Sequence, residues 1–344
     1  MAWDVLVVGG GIAGVSVAAE LAARGSVLLA EAEPELARHT TGRSAAIYVP
    51  SYGGPLVRAL TAASRFPDGV LTPRAMLWVT TDGPSPGRPG ARPISVEQAR
   101  EVCPALRPGA IAAADLDERT ADIDAMGLHQ HYVRALRAHG GEIRRGAPVT
   151  ALRRDGAGWR AAVGADEVRA GLVVAAAGAW TDRVAALAGV PPVGLLPLRR
   201  TIAIAAGRPV EPDWPLVVDT ADRFYFRPES GALLVSPADE TPSEPVDAKP
   251  DDLDVALAVE RVNAVTTLGL RTVRTAWAGL RTFAPDRDPV VGVRDGHPGF
   301  AFFAGQGGHG IQLAPALAAT GAAIIAGDDP GDGLAAALSP DRFP

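Results

Sequence analysis

The chain has 344 residues, of which 47% are hydrophobic and 21% charged, with a formal net charge of -6. That length suits one large domain or two interleaved ones, and the mild acidity gives no basic footprint for nucleic acid or an anionic membrane surface. Lys249 is the only lysine and Cys103 the only cysteine, which argues against Schiff-base chemistry and excludes intrachain disulfides and thiolate metal clusters.

The first ten residues, MAWDVLVVGG, place no basic segment ahead of their apolar run, so they do not read as a secretory signal. No apolar stretch approaches the ~20 residues that span a bilayer, and a soluble cytoplasmic protein is expected. Asp4 to Val8 (DVLVV) predicts a short buried parallel strand. It runs into GGGIAGVSVAAELAARG, where Gly9, Gly11 and Gly14 match G-x-G-x-x-G and Val15, Ala18, Ala19, Leu21 and Ala22 follow at helical spacing. A second strand, SVLLAEAE, ends in Glu31, 17 residues beyond Gly14.

Each part of that unit has a physical role in holding a dinucleotide. Gly9 permits the tight turn, Gly11 lets the backbone approach a pyrophosphate, and Gly14 permits close helix–strand packing. Glu31 would accept hydrogen bonds from a ribose 2′-OH, and a carboxylate there argues against a 2′-phosphate.

Farther along, EVCPAL places Cys103 as a buried small residue ending a helix, and GPSPGRPGARP (83–93) reads as a surface loop. GLHQHYVRALRAHG predicts a helix whose His129, His131 and His139 face solvent, without metal-ligand spacing. LVVAAAGAWTD (172–182) is a second buried strand running into a small-residue turn. PLRRTIAI (197–204) alternates like a strand, which sends Arg199 and Arg200 to opposite faces. TPSEPVDAKPDD (241–252) is another surface loop, and no internal repeat is present.

Residues 277–283, WAGLRTF, set Arg281 among the core-type residues Trp277, Leu280 and Phe283. A guanidinium cannot shed its proton, so it either snorkels to the surface or meets an anion. Near the C-terminus, FAFFAGQGGHGIQLAPALAATGAAIIAG reads as strand, Gly-rich turn and helix. Gly305, Gly307 and Gly310 repeat the glycine spacing, but the 34 residues after Gly310 leave no clear strand ending in an acid. This segment therefore reads as a cap whose amides face a flavin. Together with the strand at 172–182 it favours FAD over NAD, with the flavin reduced by the organic substrate.

Gly9–Gly14 with Glu31, HTTGRSAA (39–46), VVAAAGAW (173–180), WAGLR (277–281), PDRDPVVG (285–292) and GQGGHGIQ (305–312) follow one another in order. Together they resemble, nearly end to end, the D-amino-acid oxidase and glycine/sarcosine oxidase flavoproteins, with the strongest likeness to bacterial D-arginine dehydrogenases. The resemblance implies an α/β chain in which a discontinuous Rossmann-like FAD-binding domain (1–50, 122–196 and 284–344) is interleaved with an α+β, mixed-sheet substrate domain (51–121 and 197–283). It also implies noncovalent FAD, since Cys103 matches no flavin-tethering position.

Carried over position by position, the cofactor contacts begin with Gly9, Gly11, Ile12, Ala13, Gly14, Glu31 and Ala32. Thr41, Arg43, Ser44, Ala45 and Ala46 follow, and then Val149, Ala177, Gly178 and Trp180. The last group is Arg281 with Gly307, Gly308, His309, Gly310, Ile311 and Gln312; His309 there reads as structural or flavin-facing. Arg281 would bind the substrate α-carboxylate, which supplies the counter-charge its setting demands. Arg200 would join it, with Arg199 the competing choice. Tyr225 would bond the carboxylate or close the site, Tyr52 would sit on a mobile loop freed by Gly53 and Gly54, and Gln312 would touch flavin or substrate.

The implied reaction moves the Cα hydrogen as hydride to flavin N5, leaving an imine that water hydrolyses to a 2-oxo acid, and needs no side-chain base. The resemblance breaks on one pocket wall, where Met76, Ile47 and Val49 stand where the D-arginine dehydrogenase pattern has a carboxylate, a histidine and a threonine; Gly308 also lines this pocket. An unpaired guanidinium there would be penalised by several kcal/mol. An apolar, aromatic or cyclic D-amino acid is therefore expected, with O₂ or a quinone-type acceptor taking the electrons. A sarcosine- or glycine-type amine oxidase is the alternative. An FAD-dependent nucleic-acid modifier fits the acidic balance poorly, and a non-catalytic flavin carrier would need no carboxylate clamp.

Overall fold

A computed structural model describes residues 2–343. The run DVLVV lies in β1 (Ala2–Val8), whose last four residues are buried, because both of its sheet neighbours are parallel and neither face meets water. The glycine turn leads into α1 (Ile12–Ala22), and β2 (Val27–Ala30) returns beside β1 in register from Val5↔Val27 to Val8↔Ala30. The turn is as tight as the glycines require. A Cβ on Gly14 would fall 1.8 Å from the Gly9 carbonyl oxygen, and one on Gly9, where φ is +114°, would fall 2.5 Å from the carbonyl oxygen of Ala176.

Helix α2 (Pro55–Ala63) opens on a proline in its first turn, where the missing N–H has no intrahelical partner to lose. Strand β3 (Met76–Thr80) is buried along its whole length. Helix α3 (Ala125–Ala138) is capped by the Asp124 carboxylate, which accepts from the Gly127 N–H, and it buries Leu128, His129, Tyr132, Val133 and Leu136 on one stripe. His129 is thus a core residue rather than a solvated one. Strand β4 (Asp166–Ala175) lies parallel to β1 on the side away from β2, from Ala2↔Arg169 to Val8↔Ala175.

The chain then builds a second, ten-stranded sheet from β5 (Leu196–Ala206), β6 (Leu216–Asp219), β7 (Tyr225–Glu229) and β8 (Ala232–Ser236), with β3 and later strands. Helix α4 (Asp252–Val265) covers one face of it, and β9 (Thr272–Phe283) pairs with β5 from Leu196↔Phe283 to Ala206↔Thr272. Among the described residues only β3 and β6 pair in parallel in this sheet, so it is mixed. Finally β10 (Phe300–Ala304) joins the first sheet beside β4, and α5 (Gly310–Ala326) packs on α1 and ends at Gly327, whose φ of +88° suits the left-handed cap.

The result is an α/β protein with a Rossmann-like domain beside a mixed sheet. One apolar cluster joins α1, α3 and α5, and a second lies between α4 and the mixed sheet, with Cys103 inside it. The segment around α2 departs from the expected division. Val57, Leu60 and Val70 pack into the first cluster, because the apolar face of α2 lies on α5 rather than on the mixed sheet. Among the described residues, no helix is long and apolar enough to cross a membrane.

Candidate active site

A cavity of about 520 Å³ runs from the glycine turn after β1, along the carboxyl ends of β1, β2 and β4, to the mixed sheet. At its first end the N-terminus of α1 presents free donors. Thr41 Oγ1 accepts the Ile12 N–H at 3.0 Å, whereas the Gly11 and Ala13 N–H groups have no acceptor among the described residues. Glu31 lines this end too, with Oε2 accepting the Gly10 N–H at 2.6 Å and Oε1 the Glu33 N–H at 2.8 Å. A glycine-only approach, unpaired donors at a helix N-terminus and a carboxylate at the end of the second strand together fit a dinucleotide.

The walls contain every expected cofactor position except one. Ala32, Ser44, Ala45, Ala46, Val149, Ala177, Gly178 and Trp180 line the cavity, as do the residues from Gly307 to Gln312 at the start of α5. Gly14 does not; its part is the close packing of α1 on the turn.

Two lining residues hold other partners with the groups expected to face the ligand. The Arg43 guanidinium donates to the Ala248 and Ala278 carbonyls and to Asp247, tying the nucleotide side to the mixed sheet. Gln312 commits its amide to the Val49 N–H at 3.0 Å and the Thr61 hydroxyl at 3.2 Å. Its placement is a bridge between α5, α2 and the loop carrying Tyr52.

Where the cavity reaches the mixed sheet, the strand register settles which arginines it receives. Leu198 opposes Arg281 and Arg200 opposes Gly279, so Arg200 and Arg281 are diagonal neighbours on one face. Arg199 points the other way and meets Asp254 of α4 at 2.8 Å. Arg200 is 8% exposed and donates through Nε to the Asp239 carbonyl at 2.7 Å. The Arg281 guanidinium lies so close to the turn before α5 that a Cβ on Gly308 would sit 2.6 Å from its central carbon.

One carboxylate behind the two cations was not visible in the sequence. Glu240 lies 3.5 Å from Arg200, 4.0 Å from Arg281 and 2.9 Å from Arg287. Burial opposes the Arg281 charge, but Tyr52, Tyr225 and Glu240 outweigh it and raise its pKa above the usual value. Burial, followed by the like charge of Arg281, lowers that of Arg200. Tyr225 is buried with its ring centroid 6.0 Å from the Arg200 guanidinium, and Tyr52 rests at 5.1 Å, centroid to centroid, on His309. Burial drives the His309 pKa down to about 3, with Arg281 and Arg287 adding to the effect, so its ring is neutral.

The remaining wall is apolar: Ile47, Val49, Met76, Trp78, Ile202 and Val218. Asp222 interrupts it from the turn between β6 and β7, at a φ of +52°. Its carboxylate makes no side-chain hydrogen bond among the described residues. Asp222 is exposed, and the partial desolvation of its carboxylate raises its pKa against the opposing pull of Arg88, Arg200 and Arg281. Neither Asp222 nor Glu240 belongs to a spaced motif, so no sequence signal marked them.

The family model described as DAO, FAD dependent oxidoreductase, matches residues 4–324. The chain belongs to this family. As a DAO-family protein it is FAD-dependent, and Cys103 cannot tether the cofactor: it is buried away from the cavity and its thiol is pushed up to about 12, first by burial.

A curated relative, FAD-dependent oxidoreductase domain-containing protein 1 of Xenopus laevis, is 29% identical over 185 residues, which are 46% of this chain and 35% of that protein. The match thus spans about a third of that relative's length. Among solved structures, L-proline dehydrogenase of P. horikoshii superposes with a TM-score of 0.84 at 18% identity, covering 98% of this chain and 97% of that one. Glycine oxidase of Geobacillus kaustophilus gives 0.83 at 19% identity, covering 100% and 99%. At these identities the superpositions establish the fold.

Proposed function

We propose that this DAO-family protein oxidises a D-amino acid with an apolar, aromatic or cyclic side chain to its imino acid, which water converts to the 2-oxo acid. The observation that carries the reading is the pair Arg200 and Arg281, set on one face of the β5–β9 ladder at the far end of the cavity from the glycine turn. Two guanidiniums there are suited to hold one α-carboxylate in a fixed orientation. Bound FAD would supply the acceptor for the hydride released from Cα.

The chain's own residues have limited tasks. Arg281 and Arg200 hold the carboxylate, Tyr225 and Tyr52 flank it, and the apolar wall receives the side chain and excludes water from it. With its pKa lowered to about 3, the neutral His309 ring is too weak a base to take up a proton at working pH. The ammonium proton is therefore lost to solvent before oxidation, and no protein base has to take the Cα hydrogen. The D configuration rests on the sequence likeness, and either O₂ or a quinone-type acceptor completes the cycle.

A second reading rests on Asp222. A carboxylate on an otherwise apolar wall would pair with a cationic side chain, and basic D-amino acids would then be oxidised too. An anaerobic titration followed by flavin absorbance separates the readings. Bleaching by apolar D-amino acids, weak with D-arginine and absent with L-forms, is expected. Strong bleaching by D-arginine moves the assignment to the second reading. Bleaching by L-proline or glycine alone would overturn both.

A further inference from the structure

His129 belongs to no motif, yet it is fully buried in the stripe of α3 that packs on α1. Its Nε2 lies 2.9 Å from the Gly10 carbonyl oxygen, an acceptor, so Nε2 is the protonated nitrogen. Nδ1 is then bare, and it is buried with no partner among the described residues. Keeping a ring nitrogen dry and unpaired is unfavourable, and the position would pack more stably as an apolar residue unless the Nε2 bond does something.

What it does follows from peptide geometry. In a trans peptide the C=O and the next N–H point in opposite directions. The Gly10 carbonyl is held from behind by His129 and by the Ala37 N–H at 3.2 Å. The Gly11 N–H is thereby aimed away from α3, and Gly11 lines the cavity at the N-terminus of α1 with its donor unpaired. Were this peptide to flip, a carbonyl oxygen would face the phosphates instead, and repulsion would replace a charge-assisted hydrogen bond.

We propose that His129 is a positioning residue for the FAD pyrophosphate: it fixes the Gly10–Gly11 peptide so that the Gly11 N–H points at a phosphate oxygen. The residue never touches the cofactor. Glu31 holds the other side of the same glycine, through the Gly10 N–H, so the two residues clamp Gly10 from both ends. The inference depends on FAD binding and is independent of which amino acid is oxidised.

The test is ligand binding to the apoprotein, without turnover. FAD, ADP and adenosine are titrated against wild type, H129M, which removes the donor at similar volume, and H129Q, whose amide nitrogen reaches the same place. H129M is expected to bind FAD and ADP about tenfold or more weakly, the loss of one hydrogen bond to a charged group, with adenosine unchanged. H129Q should recover to within roughly threefold. Equal losses for adenosine and ADP, or no loss for either, would overturn the proposal. Should H129M fail to fold, ¹⁵N spectra of histidine-labelled wild type decide: Nε2 must be protonated and Nδ1 bare, and the opposite tautomer refutes the assignment.

Discussion

Replacing Glu240 by glutamine should tighten the binding of carboxylates. Glu240 stands behind the clamp, 3.5 Å from Arg200 and 4.0 Å from Arg281, and partly neutralises both. A substrate carboxylate on the far side of those guanidiniums would lie on the order of 9 Å from Glu240, the contact to the cation plus its width plus one hydrogen-bond length. At an effective dielectric of about 20, like charges at that separation repel by about 2 kcal/mol. The Glu240 side chain is 33% exposed, so solvent screening leaves about 1 kcal/mol, or roughly a fivefold gain in affinity. The assay is an equilibrium titration of the oxidised enzyme with non-oxidisable monocarboxylates, read from the flavin spectrum. The variant should also unfold a few degrees lower, because Arg287 loses its 2.9 Å partner. Unchanged or weaker carboxylate binding in E240Q, with FAD retained, would refute the electrostatic account of the clamp.

Arg281→Met should lower kcat/KM by about 100-fold or more while FAD stays bound at full stoichiometry, and near-normal activity would place the carboxylate elsewhere. Arg199→Met should cost roughly 1–2 kcal/mol of stability through its Asp254 pair, seen as a lower Tm, and leave KM alone, whereas Arg200→Met should raise KM. Stability should fall as pH drops below about 6.5. Burial depresses the His309 pKa to about 3, so within that window the unfolded chain binds a proton the folded one refuses. Urea midpoints across that range should show a pH slope that is shallower in His309→Phe by up to about 1.4 kcal/mol per unit, and an equal slope would refute the assignment. Asp222→Asn should abolish any oxidation of basic D-amino acids and spare apolar ones; a matching loss on both would assign Asp222 to general binding.

The nucleotide unit was legible because it is one contiguous strand–turn–helix–strand segment. Gly14 has to clear the Gly9 carbonyl five residues away and Glu31 directly follows the next strand, although Gly9 must also clear Ala176, which is distant in sequence. The choice between Arg199 and Arg200 was only half legible. Alternation separates them, but the β5–β9 register decides which face holds the cavity. The internal partners of Gln312 and Arg43 were not legible, because Val49, Thr61, Asp247 and Ala278 are distant in sequence. His129 could have been found: it falls on the apolar stripe with Leu128, Tyr132 and Val133, and helical spacing alone argues against a solvated ring. Asp222 and Glu240 carry no such mark, since a turn and a loop bring them to the site only after the sheet has formed.

The two clamp arginines stand on adjoining strands of one long ladder, while the wall residues Met76, Trp78 and Val218 and the Asp222 turn belong to strands several places along the same sheet. On the proposed reading, what every amino acid shares would be gripped by one part of the sheet, and what distinguishes one from another would be read largely by a different part. Exchanges in β3, β6 or the turn at 220–224 can retune the side chain accepted without disturbing the spacing of the guanidiniums. For directed evolution this separates the positions to vary from those to leave alone, and a library confined to the wall should yield variants that differ in substrate yet keep the same response to carboxylate inhibitors.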